Sequence, residues 1–471
     1  MGSKDNSYTD LMALHPEVSG SCNLGISKFS NGISWRYVVD CGLFQERQYE
    51  ALNHTLPFLP ENLDCAFVTH NHVDHTGRLP FMVKKGFCRE IYTSEITTKL
   101  LPLALEDSAK VLKDVAKRKN VPCLYTHVDM EKTLRLLKPC QFDQTIQVGD
   151  YARATFLNNG HLMGAAMILV QVDYPGSEPT NILYTGDYND KNMFFDVNPI
   201  PDWILKLPLT VVQESTYGNM DSTEIRPCFK ENILRCIANG GTAIVPVFSL
   251  GRTQEILYVL KCMQEEGALS TNIPIVLDGK LAIAYTKLYL QNKQWMREGM
   301  EDFLPQNLTF VDKANRCDIL KDTGTKIVLT TSGMGSYGPA QLYIPEYLQK
   351  RNALIHFTGY TAEGTLGARL KNANKGEAVE VGGMLVIKRA DVEYTTEYSA
   401  HAKADKVISF LKQPQNLKLV LFQHGAIQTK LDLAKRVLNE VDVKQVGILG
   451  RDYFFRVNPY GLVKSLSTKF E

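Results

Sequence analysis

The chain has ten cysteines but no C-x-x-C pair. Thiols scattered in this way exclude a zinc ribbon and a disulfide framework. They predict reduced cysteines in a cytoplasmic protein. No stretch is long and apolar enough to span a membrane, so no membrane partner is expected. The opening Met1-Gly-Ser-Lys-Asp-Asn-Ser7 is polar and lacks the apolar core of a secretory leader. Charge of one sign is not in excess either, with 52 Lys and Arg against 51 Asp and Glu. Without global basicity, any polyanion site must be a local patch. No internal repeat and no low-complexity segment is present. What is there is a 471-residue chain, 44% hydrophobic and 22% charged. That is the balance of a soluble globular protein with room for two or three domains.

The densest chemistry lies in Thr69-His-Asn-His-Val-Asp-His-Thr-Gly77, which holds His70, His72, Asp74 and His75. It follows Asp64-Cys-Ala-Phe-Val-Thr69, an apolar run that reads as a buried strand. A lone histidine is more often surface or satisfied core than a ligand. Three histidines and an aspartate this close carry too many polar atoms for an apolar core, and a polar surface loop ranks below a metal site. Imidazole and carboxylate are ligands that zinc and its neighbours prefer. Alternate side chains of an extended segment share a face. His70 and His72 can therefore point one way while Asp74 and His75 serve a neighbouring position, which suggests two metals.

Three more candidates end apolar runs. Ala152-Arg-Ala-Thr-Phe-Leu157 leads through Asn158-Asn-Gly160 to His161. Asn181-Ile-Leu-Tyr184 leads to Thr185-Gly186-Asp187. Lys418-Leu-Val-Leu-Phe422 leads to Gln423-His424-Gly425. Loops at strand ends can face a cleft. Each residue alone is also an ordinary turn residue; their joint match to the cluster is what raises them.

From about residue 219 the pattern alternates strand and helix. Strands are expected at Thr242–Val247, Ile273–Leu277, Lys326–Thr330 and Ala353–Phe357, with helices after Ser249 and around Ala282 to Leu290. This alternation predicts a parallel, Rossmann-like sheet. Earlier, Leu101 to Asn120 has a charged helical pattern. Its Lys117-Arg118-Lys119 end reads as a solvated face before it reads as an RNA contact. Thr331-Ser-Gly-Met-Gly-Ser-Tyr-Gly338 is a glycine-rich turn whose backbone N–H groups suit phosphate, with a plain loop as the close alternative.

Taken together, these residues resemble the metallo-β-lactamase-fold nucleases of the β-CASP group. That group includes the endonuclease subunit of the cleavage-and-polyadenylation complex, RNase J and stand-alone prokaryotic RNA nucleases, and the chain looks closest to the last. Val39-Asp40-Cys-Gly-Leu-Phe-Gln45 resembles the first lactamase motif, His70 to His75 the second, Gly160-His161 the third and Gly186-Asp187 the fourth. Gln213-Glu214-Ser-Thr-Tyr-Gly218 resembles β-CASP motif A, Tyr398-Ser-Ala-His401 motif B and Gln423-His424-Gly425 motif C. Pro246 to Glu255 and Gly359 to Gly367 also resemble family segments. Ala426 departs from the Glu that often follows motif C, and Asn158-Asn159 stand where small residues are more usual.

The resemblance implies an α/β fold, a metallo-β-lactamase αββα sandwich with an inserted Rossmann-like β-CASP domain. The first domain would comprise 1–215 and 386–471, and the insert 219–385. It implies a zinc-dependent endonuclease that hydrolyses single-stranded RNA by a hydroxide activated between two metals. There would be two zinc ions per chain, with manganese or iron left open. His70, His72 and His161 would hold one ion, Asp74, His75 and His424 the other, and Asp187 would bridge them. Asp40 would orient a ligand histidine through its ring N–H. His401 would be the general acid, oriented by Glu214. Ser332, Gly333, Gly335, Ser336 and Arg252 are expected at the RNA backbone, with Lys280, Arg351 and Arg369 as further contributors. Relatives often form dimers, so a homodimer is left open. Two other readings stand beside this one. A small-molecule thioester or lactam hydrolase of the same fold explains the ligands but not Glu214, His401 or the insert. An inactive scaffold subunit is disfavoured because every ligand position is filled.

Overall fold

The structure is a computed structural model that describes residues 7–359, 361 and 364–467. The polar opening through Asn6 and three positions of the 359–367 segment lie outside the described residues. The chain forms two compact units.

The first unit comprises 1–192, 196–222 and 401–471. It holds an eight-stranded and a seven-stranded sheet. Central in the first sheet are Asn23–Lys28, Ser34–Val39 and Cys65–Val68, and central in the second are Ala166–Val172, Thr180–Tyr184, Leu209–Glu214 and Leu417–Gln423. One core is built from both sheets, with Tyr37, Val39 and Phe67 packed against Phe156, Ile168, Val170, Ile182 and Leu419. The other face of each sheet is also apolar and takes helices. Val38, Ala66 and Val68 pack on Leu101, Leu105 and Met130. Leu169, Val211 and Val420 pack on Val407, Ile408, Leu433 and Val437. Helix, sheet, sheet, helix is the expected αββα sandwich, and strands buried on both faces account for the near-continuous apolar runs. The helix expected from Leu101 starts earlier, at Glu95, where Ser94 caps it by accepting from Thr97 N–H. It ends at Asn120, whose φ of 53° stops the helix.

The second unit comprises 193–195 and 223–400. Its six-stranded sheet is parallel throughout. It contains all four expected strands, at Thr242–Pro246, Ile275–Asp278, Lys326–Thr330 and Leu354–Phe357. The boundaries differ from the expected 215, 219 and 385. Asp391–Tyr394 pairs in parallel with Leu354–Phe357 and extends this sheet, so the chain rejoins the first unit only at His401. The strand is short and polar, Asp-Val-Glu-Tyr, and lacks the apolar run that marks the others. Among the described residues, no helix is long and apolar enough to cross a membrane.

Candidate metal centre

Every predicted ligand falls in the first unit, at the ends of its strands. Val39 ends a strand, and Asp40 follows it at a φ of 65°. Aspartate tolerates this left-handed conformation better than most residues. Its carboxylate then turns inward: Oδ1 accepts from Thr69 N–H at 2.8 Å, and Oδ2 accepts from Thr69 Oγ1 and from His75 Nδ1, each at 2.8 Å. Thr69 donates its hydroxyl proton to Asp40, so at 3.0 Å it accepts from His70 Nδ1. Both His70 and His75 thus spend Nδ1–H on the protein and keep a lone pair on Nε2.

The second motif changes conformation midway. His72 is extended, with ψ of 150°, and Val73–Thr76 is a single helical turn. Asp74 and His75 therefore leave the line of His70 and His72 because the backbone coils, not because a strand alternates. Two groups result: His70, His72, His161 and Asp187 in one, Asp74, His75 and His424 in the other.

Asp187 faces both. Its Oδ2 lies 3.5 Å from His70 Nε2 and 3.6 Å from His161 Nε2. Its Oδ1 lies 3.2 Å from His75 Nε2 and 3.4 Å from His424 Nδ1. Gly186 makes this approach possible: at φ 57° it sits so close to Thr69 that a Cβ would come within 2.9 Å of the Thr69 Cβ.

The donor set fits divalent ions on three counts. His72 Nδ1 is 3.2 Å from His70 Nε2 and 3.1 Å from His161 Nε2, and His75 Nε2 is 3.3 Å from His424 Nε2. Ligand nitrogens around a tetrahedral zinc ion are about 3.3 Å apart for ordinary bond lengths. Asp187 Oδ1 is buried and takes no hydrogen bond, a costly state without a cation. Burial holds the His70 imidazole well below its usual pKa, in the neutral form that binds metal. Burial alone would raise the Asp187 and Asp74 carboxyls, but the surrounding imidazoles outweigh it. Asp187 is held well below the usual range and Asp74 at about 2. His75 goes the other way: burial opposes its proton, but Asp187 and Asp40 overcome burial and push it up. A divalent cation competes for that same place.

His401 and Glu214 sit beside this centre. His401 Nδ1 is 3.0 Å from Glu214 Oε1, and its Nε2 is 3.9 Å from Asp187 Oδ2. Glu214 is buried and also accepts from Tyr188 N–H at 3.1 Å and Thr216 N–H at 2.8 Å. Burial would lower the pKa of His401, but Glu214 and then Asp187 outweigh it and hold it above its usual value.

The expected backbone contacts of the second unit are placed less simply. Arg252 is buried, and its guanidinium pairs with Glu255 at 2.5 Å. The first turn of its helix supplies this acid three residues on, while Arg252 Nε is buried with no hydrogen-bond partner among the described residues. Ser336 Oγ accepts from Leu366 N–H at 3.1 Å, and Ser332 Oγ from Tyr337 N–H at 3.3 Å. Gly333 and Gly335 are buried within the same turn. Lys280, Arg351 and Arg369 are exposed.

One residue that matters was legible only as a departure. Asn159 is fully buried, and its Nδ2 donates to the carbonyls of Thr185 at 3.0 Å and Asp187 at 2.9 Å. Its Oδ1 accepts from His161 N–H at 3.1 Å. One side chain thus ties the loop of His161 to the loop of Asp187. Asn159→Ala leaves those buried groups unpaired, at about 1–3 kcal/mol each. We expect a lowered thermal midpoint and, by isothermal titration, metal binding weakened about 10- to 100-fold. An unchanged titration would show that the two loops hold their places without it.

Two family models match the chain: the metallo-beta-lactamase superfamily over residues 36–150 and the Beta-Casp domain over 253–370. The matched segments include Asp40 and His70 to His75; the later ligands rest on the geometry above. The chain is 30% identical over 433 residues to ribonuclease TTHA0252 of Thermus thermophilus, covering 89% of this chain and 93% of that protein. It is 29% identical over 455 residues to transcription termination factor FttA of Methanosarcina mazei, covering 91% and 68%. It is 28% identical over 425 residues to Integrator complex subunit 11 of Danio rerio, covering 86% and 68%. On its αββα sandwich, its parallel second unit and these matches, the chain belongs to the metallo-beta-lactamase superfamily and carries a Beta-Casp domain.

Proposed function

We propose that this protein is a metal-dependent ribonuclease that cleaves single-stranded RNA internally, with zinc as the working metal. The observation that carries the reading is Asp187, whose two oxygens face two separate imidazole groups, with a Glu214–His401 pair at its side. A thioester or lactam hydrolase needs the first feature only; a general acid matters where a poor oxyanion must leave. The ribonuclease name of a relative matched over 93% of its length points the same way.

His70, His72 and His161 would hold one ion, Asp74, His75 and His424 the other, and Asp187 both. Bound ions supply Lewis acidity, lowering the pKa of water toward about 7 and neutralising charge that grows on phosphoryl oxygens. The chain's own residues do the rest. Asp40 and Thr69 fix the ring orientation of His75 and His70. His401, protonated through its partnership with Glu214, gives its Nε2 proton to the leaving ribose oxygen. Glu214 takes the Nδ1–H and so selects the orientation that turns Nε2 toward Asp187. Five of the seven ligands are buried and His72 and Asp74 partly so, so a flexible single strand fits the site better than a duplex.

The test is cleavage of an end-labelled single-stranded RNA by purified protein and zinc, with the product ends mapped, beside a thioester. Internal cuts that vanish with a chelator and return with zinc are expected. Thioester turnover without RNA cleavage would overturn the reading. His401→Ala is expected to keep its metal content, measured by plasma mass spectrometry, while cleavage falls about 10²–10⁴-fold. Loss of metal in that variant would mean that His401 is a ligand and not an acid.

A further inference from the structure

The segment that carries His401 is joined to the loop after Glu214 by a side chain outside the sequence motifs. Ala402 N–H donates to the Tyr188 carbonyl at 2.7 Å, and Ala404 N–H to the Met220 carbonyl at 2.8 Å. Between them, Lys403 forms a parallel bridge with Tyr217. Lys403 is 4% exposed, and its ammonium lies 3.3 Å from the Tyr217 ring centroid. The same ring meets His401 edge-on, with centroids 6.2 Å apart and planes at 66°.

A buried ammonium is costly unless its charge is met. The negative face of an aromatic ring meets it, most strongly where water is excluded. Tyr217 lies three residues after Glu214, and Lys403 two after His401. The pair locks the backbone of the imidazole to the backbone of its carboxylate partner. Packing alone would be served as well by leucine or methionine at 403; a cation over a ring adds a directional tie.

We propose that Lys403 is a positioning residue for the reaction: its ammonium pins the Tyr217 ring, and the ring walls His401 so that Nδ1 stays on Glu214 and Nε2 stays toward Asp187. This rests on the reading of His401 as general acid. Productive geometry of a proton donor is sensitive, and a displacement near 1 Å can cost about 100-fold.

The test compares Lys403→Met, which keeps the stem and removes the charge, with Lys403→Arg, which keeps a cation for the ring. On ordinary single-stranded RNA, kcat should fall about 10- to 100-fold in Lys403→Met, with KM and metal content unchanged, and recover in Lys403→Arg. A second RNA carries sulfur in place of the bridging oxygen that leaves. A thiolate departs without a proton, so on this substrate Lys403→Met should match the unaltered protein. An unaffected kcat on ordinary RNA overturns the proposal. So does an equal deficit on both substrates, which marks a purely structural role, and so does an Arg variant as slow as the Met variant. His401→Ala is run alongside. If sulfur does not restore that variant, the general-acid reading falls and takes the proposal with it; if sulfur restores it while Lys403→Met is normal, only the proposal falls. Should Lys403→Met fail to fold, Tyr217→Leu against Tyr217→Phe makes the same comparison, ring lost against ring kept.

Discussion

Asp187→Asn is expected to abolish RNA cleavage, beyond the roughly 10²–10⁴-fold that loss of a general acid costs. The substitution keeps the shape of the side chain and removes its charge. An amide offers one oxygen and turns two N–H donors toward imidazole nitrogens that have lone pairs to give. In the protein, Oδ2 serves His70 and His161 while Oδ1 serves His75 and His424. Metal content should therefore drop in both, and plasma mass spectrometry on the folded variant measures it directly. Far-ultraviolet circular dichroism should remain that of the unaltered protein. Undiminished metal content in Asp187→Asn would remove Asp187 from the centre of the scheme.

Gly42→Ala is expected to be as damaging, by a different route. A Cβ on Gly42 would lie 1.5 Å from the Asp74 carbonyl oxygen, 2.0 Å from its carbon and 2.6 Å from His75 N. These are backbone atoms and cannot rotate away. They are also fixed from behind, since Ser21 N–H donates to the Asp74 carbonyl at 2.8 Å and Gly42 N–H to the Ser21 carbonyl at 2.9 Å. Ordinary overpacking costs about 1–3 kcal/mol; with backbone on both sides we expect more. The helical turn of Asp74 and His75 must move, so the Asp74, His75 and His424 group should lose its ion first. Thermal denaturation with and without zinc tests this. A large drop in midpoint and a smaller stabilisation by zinc are expected, and a normal midpoint with normal zinc stabilisation would refute the close approach.

The fold was legible where apolar runs are long and alternate with charged helical stretches. Strands such as Lys326–Thr330 are buried on both faces, so their sequence is apolar from end to end. Asp391–Tyr394 was not legible. It is a short edge strand with partly exposed side chains, and its pairing with Leu354–Phe357 depends on a partner 37 positions away. Arg252 shows a similar limit. Its charge reads as a group for RNA phosphates, and its pairing with Glu255, three residues later on the helix, shows only in the structure. Asn159 shows in the chain only as a departure and Lys403 not at all, because their partners are loops that only folding brings near.

The sequence by itself determined the kinds of ligand, their placement at strand ends and the alternation that builds a parallel sheet, because each depends on local spacing and burial. The tertiary structure decided how the ligands divide. The backbone coils at Val73, Asp187 turns one oxygen to each group, and Asp40, Thr69 and Glu214 each engage a particular histidine. Such pairings are made between residues up to hundreds of positions apart, and only the packing of two sheets sets their distances and directions.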